Sequence, residues 1–241
     1  MTPSALRAAL IVAWGILTLG CAVRERTHAP PQDDLRPSTR ALTPDDFLPS
    51  GSAAHQFDLF TGDSSEPSQR LTRRRLDTSE HGAAFAIHEG ERRIEYLSTG
   101  TDGSLRLHAS VERDDGSLAL FDPPLVVCPP TLSAGEPFAS ESSMRVVSDA
   151  NPGRQREKGT ARRTISHVGV EHVTTPAGSF DAHRVEITFL ADLTFADADT
   201  LTTQWIVPGV GVVREERSRR VTVLGAQGHP KVERLEIVSV E

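Results

Sequence analysis

The side chains of this chain best suited to chemistry are its histidines, its cysteines, one serine behind a glycine, and an acidic run. None has the spacing of a reaction centre. The nine histidines include His167 and His172, five apart, and His81 and His88, seven apart. An odd spacing sends two side chains to opposite faces of a regular strand. His183 is left open to a partner on another strand. There is no His-Glu-x-x-His and no cysteine pair at metal spacing. Ser179 follows Gly178, but no Gly-x-Ser-x-Gly elbow exists. The acidic stretch from Asp192 to Asp199 lacks the glycine and closing glutamate of a calcium loop. Cys128 stands among prolines with no base beside it in the chain, the setting of a small buried hydrophobe rather than a nucleophile. These residues predict no catalytic group, no metal and no cofactor.

Charge narrows the classes further. The chain has 26 basic and 33 acidic residues. A net negative balance argues against a nucleic-acid protein. The basic runs Arg73-Arg74-Arg75 and Arg217-Ser218-Arg219-Arg220 read as arginines on the outer face of strands, where charge also guards sheet edges. Contact with lipid phosphate is the weaker alternative.

The N-terminus addresses the chain to a membrane. Arg7 is the only charge in the first twenty residues, and Ala8 to Leu19 is apolar apart from Gly15 and Thr18. That run is too short to span a bilayer and suits the core of a signal peptide. It ends Leu17-Thr18-Leu19-Gly20-Cys21. This resembles the lipobox of bacterial lipoproteins, which implies a signal peptide over 1–20 and lipidation of Cys21. Each buried methylene contributes roughly 0.8 kcal/mol, so two or three acyl chains would anchor firmly. Ala22 follows the cysteine. By the sorting rule of such lipoproteins, the lack of Asp there implies the periplasmic face of the outer membrane.

The rest divides into a tether and a body. Residues 21–46 are rich in Pro, Asp, Arg and Thr and poor in large apolar side chains. Such a composition predicts a flexible linker, because it cannot offset the entropy of ordering. Residues 47–241 form the predicted body, sized for one β-domain, with two repeated halves as a variant. Leu105, Leu107, Ala109 and Val111 alternate with polar residues, and Asp102-Gly103 and Asp115-Gly116 flank them as hairpin turns. Further strands are predicted over 56–61, 69–77, 83–89, 92–99, 139–149, 157–175 and 232–240. Asp122-Pro123-Pro124 is expected to break the meander, and Asn151 to Arg154 to form a polar loop. The fold class is all-β: an antiparallel meander forming an open or half-closed barrel, with few or no helices after the signal.

The segment from Ile165 to Arg217 carries the clearest pattern. Thr175-Pro176-Ala177-Gly178 suits a type I turn. After it, Val185, Ile187, Phe189, Ala191 and Leu193 share one parity, and Arg184, Glu186, Thr188 and Asp192 the other. Val185, Ile187 and Phe189 are the candidate ligand-facing residues. Pro208-Gly209 marks a second bend, and Trp205 before it reads first as a core anchor and second as a ligand contact.

Val173-Thr-Thr-Pro-Ala-Gly-Ser-Phe-Asp-Ala-His-Arg-Val-Glu186 resembles a hairpin found in the TapB-like periplasmic domains of bacterial envelopes. Trp205-Ile-Val-Pro-Gly-Val-Gly-Val-Val-Arg214 is similar to a strand of the same family, although Ile206 stands where an aromatic residue is common. The resemblance implies an antiparallel open β-barrel related in shape to periplasmic lipoprotein carriers. It implies no activity and no catalytic residue.

Two readings of function follow. The first is a non-enzymatic envelope lipoprotein whose β-domain binds an apolar or amphipathic ligand, or another envelope protein. The second is an envelope hydrolase with carboxylates and histidines converging in a cleft. A cavity tells ligand binding from protein docking, and titratable side chains within hydrogen-bond reach of one another would favour the hydrolase.

Overall fold

Turn chemistry and alternation produce one continuous antiparallel meander. The computed structural model describes residues 35–49 and 53–240. The expected signal peptide, the lipidation site Cys21 and the first part of the tether lie outside the described residues. A four-residue helix, α1 (Pro44–Phe47), precedes β1 (His55–Thr61), β2 (Gln69–Asp77), β3 (Phe85–Glu89), β4 (Arg93–Thr99) and β5 (Leu105–Glu112). Then follow β6 (Ser117–Cys128), β7 (Phe138–Ser148), β8 (Asn151–Thr175), β9 (Gly178–Leu193), β10 (Ala196–Val207), β11 (Gly211–Val223), β12 (Ala226–Gln227) and β13 (Lys231–Val240).

From β1 to β11 every strand pairs with its chain neighbour. β13 pairs with both β1 and β11, and β10 pairs with β11, so the strands close into a ring. The ring holds twelve strands, with the two-residue β12 a short hairpin arm on β11. The expected all-β antiparallel barrel is therefore present, and it closes rather than staying open or half-closed. Closure rests on β13, which pairs Ile237 with Phe57 of β1 and Leu235 with Glu215 of β11. Sequence alternation alone carries no information about that pairing.

Two predicted breaks are absorbed into strands. Asp122-Pro123-Pro124 lies within β6, where Leu107 pairs with Leu125 but Ala109 pairs with Leu120. The intervening residues bulge away from β5, which suits prolines without an N–H to donate. Asn151 to Arg154 begins β8 instead of forming a loop. The acidic Asp192–Asp199 stretch is the hairpin joining β9 to β10.

The expected boundary at residue 47 lies too far downstream. Residues 35–49 form a strap packed on one end of the barrel. Arg36 exchanges backbone hydrogen bonds with Val170 at 2.8 Å in both directions. Leu42 does the same with Leu132, at 3.0 and 2.8 Å, and is fully buried. Its side chain sits with Leu132, Ile165, Val185, Ile206 and Val212. Two glycines allow this approach. A Cβ at Gly169 would stand 2.5 Å from the Arg36 carbonyl oxygen, and one at Gly211, whose φ is +108°, 2.9 Å from that of Leu48. The polar composition of the strap hid these few apolar anchors.

A barrel of eight strands is just wide enough for side chains to fill, and wider barrels leave space. Here the strap occupies one end of the twelve-strand ring and a cavity lies beyond it.

Candidate functional site

The lumen is the candidate site. The cavity is about 520 Å³, within the range of about 300–1,000 Å³ usual for small-molecule sites. It runs from Phe47 and Leu48 of the strap to the exposed side chains of Asp115, Arg156 and Lys231 at the opposite end of the barrel.

Its lining is chemically divided. Strands β5 to β10 present Leu107, Phe121, Val127, Met144, Ile187 and Phe189, which continue into a buried apolar cluster. The alternation read in β9 accounts for this. On the lumen face Ile165 of β8 pairs with Ile187, Arg163 with Phe189 and Ala161 with Ala191.

Strands β2, β3, β4, β11 and β13 present charge. Arg73 bridges Glu89 at 2.5 Å and Glu215 at 3.3 Å. Arg217 also binds Glu215 and lies 3.7 Å from Glu233. Arg92 meets Glu233 at 2.5 Å. Arg93 holds Glu95 at 2.6 Å and Glu112 at 3.2 Å. Gln204 donates to Glu215 at 2.9 Å. Burial alone would favour protonated acids, but the guanidinium groups of Arg217 and Arg73 outweigh it and hold Glu215 well below the ordinary carboxylate range. Glu89 is depressed for the same reason, against the same burial.

Arg163 is different. Its Nε donates to the Val127 carbonyl at 3.2 Å. Among the described residues no carboxylate forms an ion pair with it. Burial lowers its pKa to about 10, against the pull of Glu95, so it remains a cation at neutral pH.

The predicted arginines on the outer face are thus a partial misreading. Arg73, Arg217 and Arg219 line the lumen, whereas Arg75 stacks over Phe85 at 3.8 Å. Glu215, Arg217, Arg219 and Val221 share one face of β11 and line the lumen. A bulge at Val213 moves that face to Val212 at the start of the strand, so parity with the buried Val213 gives no guide to it.

The four residues proposed from sequence divide. Ile187 and Phe189 line the cavity. Val185 is fully buried and packs under the strap with Leu42 and Ile206. Trp205 is buried with Val173, Ala182 and Val213. Its Nε1–H donates to Glu171 at 3.1 Å and Arg214 stacks on its ring at 4.9 Å. Gln204 beside it faces the lumen, so the indole belongs to the other face of β10.

His183 does meet a cross-strand histidine. Its Nδ1 lies 3.0 Å from Nε2 of His167, and both rings are buried. A bulge between His167 and Gly169 sets this diagonal contact, and strand parity cannot foresee a bulge. Among the described residues no histidine lines the cavity. Cys128 does line it; burial pushes its thiol up to about 12, and Sγ donates to the Pro129 carbonyl at 3.4 Å. Among the described residues no group of three or more His, Cys, Asp or Glu is placed to hold a metal ion. Glu89, Glu95, Glu112, Glu215 and Glu233 are each engaged by arginine, a poor starting point for proton transfer. An apolar wall facing a charged one can instead accept an amphipathic molecule.

Residues 128–226 match the model of a family described as DUF3108-like. No curated protein matches the chain. Among solved structures, it is similar to an exported protein with a YmcC-like fold from Bacteroides fragilis, at 14% identity and a TM-score of 0.42, over 84% of this chain and 100% of that one. It is similar to a lipoprotein from Parabacteroides distasonis at 12% identity and a TM-score of 0.40, again over 84% and 100%. It is also similar to the lipoprotein YmcC from Escherichia coli at 14% identity and a TM-score of 0.35, over 78% of this chain and 84% of that one.

Proposed function

We propose that this chain is a non-enzymatic lipoprotein of the bacterial cell envelope, anchored through acylated Cys21, whose barrel lumen holds an apolar or amphipathic ligand. The lumen carries this reading: a cavity of about 520 Å³ with one apolar wall, reaching exposed residues at one end. A barrel meant only as a docking scaffold has no need of an unfilled centre, because an empty apolar cavity is destabilising. The export signal and the cysteine at its end support the envelope address. The TapB-like hairpin and strand fall inside the segment matching the DUF3108-like family, and support a place among envelope domains of that kind. The anchored membrane is the outer one, by the sorting rule at Ala22, and nucleic acid is not a partner.

The hydrolase reading is the weaker. The inner glutamates do converge, but each is paired with an arginine, and among the described residues no histidine stands with them.

Native mass spectrometry of the full chain carrying Cys21→Ser, purified gently from its own host, tests the reading. A co-purifying lipid-sized mass is expected. Ala198→Phe, which puts a ring into the lumen beside Ala191, should remove it. A clean apo mass that also fails to take up added oleate or oleyl alcohol would overturn ligand binding. Cross-linking to envelope neighbours would then test the docking role.

A further inference from the structure

We infer that Arg163 is the headgroup receptor of the lumen, and that the ligand is a single-chain amphipath ending in an oxyanion, a carboxylate or a phosphate. The inference rests on the ligand-binding reading above and adds the chemical class.

The argument begins with the five arginines and five glutamates of the inner lumen: Arg73, Arg92, Arg93, Arg163 and Arg217 against Glu89, Glu95, Glu112, Glu215 and Glu233. The totals balance, so no long-range field selects a ligand. Contacts select it instead. Four of the arginines engage all five carboxylates directly. Arg163 is left over. Its single protein hydrogen bond, among the described residues, uses Nε on a neutral carbonyl. The two Nη groups remain available, and the residue lines the cavity.

A guanidinium taken out of bulk water without an anion carries an uncompensated desolvation cost. The depressed pKa of Arg163 expresses that cost, since burial outweighs the nearby carboxylates. An oxyanion accepting both Nη groups would repay it through charge-assisted hydrogen bonds.

The position of Arg163 completes the case. It stands on the apolar wall, not on the charged one. It lies between Ala161 and Ile165 along β8, both buried, and opposite Phe189 across the ladder. A headgroup held there can lay its chain along Phe189, Ile187, Val127 and Leu107 of the same wall. One cation set in an apolar wall matches a molecule with one anionic end.

The test measures binding of oleate, oleyl alcohol and mono-oleoyl lysophosphatidate to the full chain carrying Cys21→Ser. Calorimetry at neutral pH serves for all three, which share one chain and differ in headgroup. An anionic probe is expected to bind at least about tenfold more tightly than the alcohol. Whether oleate or lysophosphatidate leads tells carboxylate from phosphate. In Arg163→Met the preference should vanish while the alcohol binds as before, and Arg163→Lys should keep part of it. Equal binding of oleate, lysophosphatidate and alcohol by the unaltered lumen overturns the headgroup assignment and leaves the ligand-binding reading standing. So does an anion preference that survives Arg163→Met. Binding of none of the three overturns both. The comparison in the unaltered lumen needs no substituted arginine, so a misfolded Arg163→Met cannot leave the assignment undecided.

Discussion

Nδ1 of His183 lies 3.0 Å from Nε2 of His167, joining β8 to β9 beneath the N-terminal strap. One ring donates and the other accepts, an arrangement that needs at least one neutral imidazole. Burial is the first cause that holds both pKa values below the ordinary 6.5. The cationic form of His167 and the nearby Arg40 lower that of His183 further, against Asp46. The folded chain therefore binds fewer protons here than the unfolded one. Stability from the pair is fully present above about pH 6.5 and is lost as pH falls through the lower folded-state values. Thermal unfolding between about pH 7.5 and 5 should show a falling Tm, and the double variant His167→Phe/His183→Leu should fall less steeply. An equal slope in both proteins would place the acid sensitivity elsewhere, first at His55, which burial also depresses.

Leu42 tests the strap. In a flexible linker Leu42→Ala would be silent. Fully buried against Leu132 and Val185, it should cost about 2–5 kcal/mol in urea unfolding. A loss under about 0.5 kcal/mol, the range of ordinary surface substitutions, would contradict the packing.

Arg73 tests the charged wall. Arg73→Met removes the cation that bridges Glu89 and Glu215. The cost should be about 3–5 kcal/mol at neutral pH, because buried carboxylates are left short of charge. Those carboxyls then titrate at higher pH in the variant than in the parent. The deficit should accordingly shrink on mild acidification, as protonation removes the unpaired charge. A deficit independent of pH would assign the loss to packing.

Cys128 should be inert. Its thiol is buried and raised to about 12, so it holds almost no thiolate at neutral pH. A thiol reagent applied to the Cys21→Ser chain should react only on unfolding. Rapid labelling of the native protein would mean that the lumen admits the reagent and the thiol is activated.

Trp205 offers a spectroscopic check. Trp14 lies in the expected signal segment, and the indole of Trp205 is buried with its N–H on Glu171. Trp205→Phe keeps most of the apolar volume but leaves Glu171 without that donor. It should lower stability by about 1–3 kcal/mol. Oleate binding should be unchanged, because the ring faces away from the lumen.

Much of the fold was legible in local chemistry. Period-two alternation identified nearly every strand, and Asp-Gly and Pro-Gly pairs placed the turns, because strand faces and turn dihedrals depend on residues close in sequence. The face bearing Ile187 and Phe189 was legible for the same reason. Val185 shares their parity yet lies under the strap, because parity sets a face and not a depth along the barrel axis. The prolines at 123 and 124 misled because a bulge accommodates what a regular ladder cannot.

The sequence by itself determined an all-β chain with an apolar stripe on β9. Those properties follow from composition and from contacts a few residues apart. Tertiary structure alone decided that β13 closes the ring between β1 and β11, that the polar strap packs under it, and that Arg73, Arg163 and Arg217 turn inward. An arginine on a strand looks the same in sequence whether it faces water or a lumen. Which it faces depends on carboxylates such as Glu89 and Glu215, far away in the chain and brought within reach only when the barrel closes.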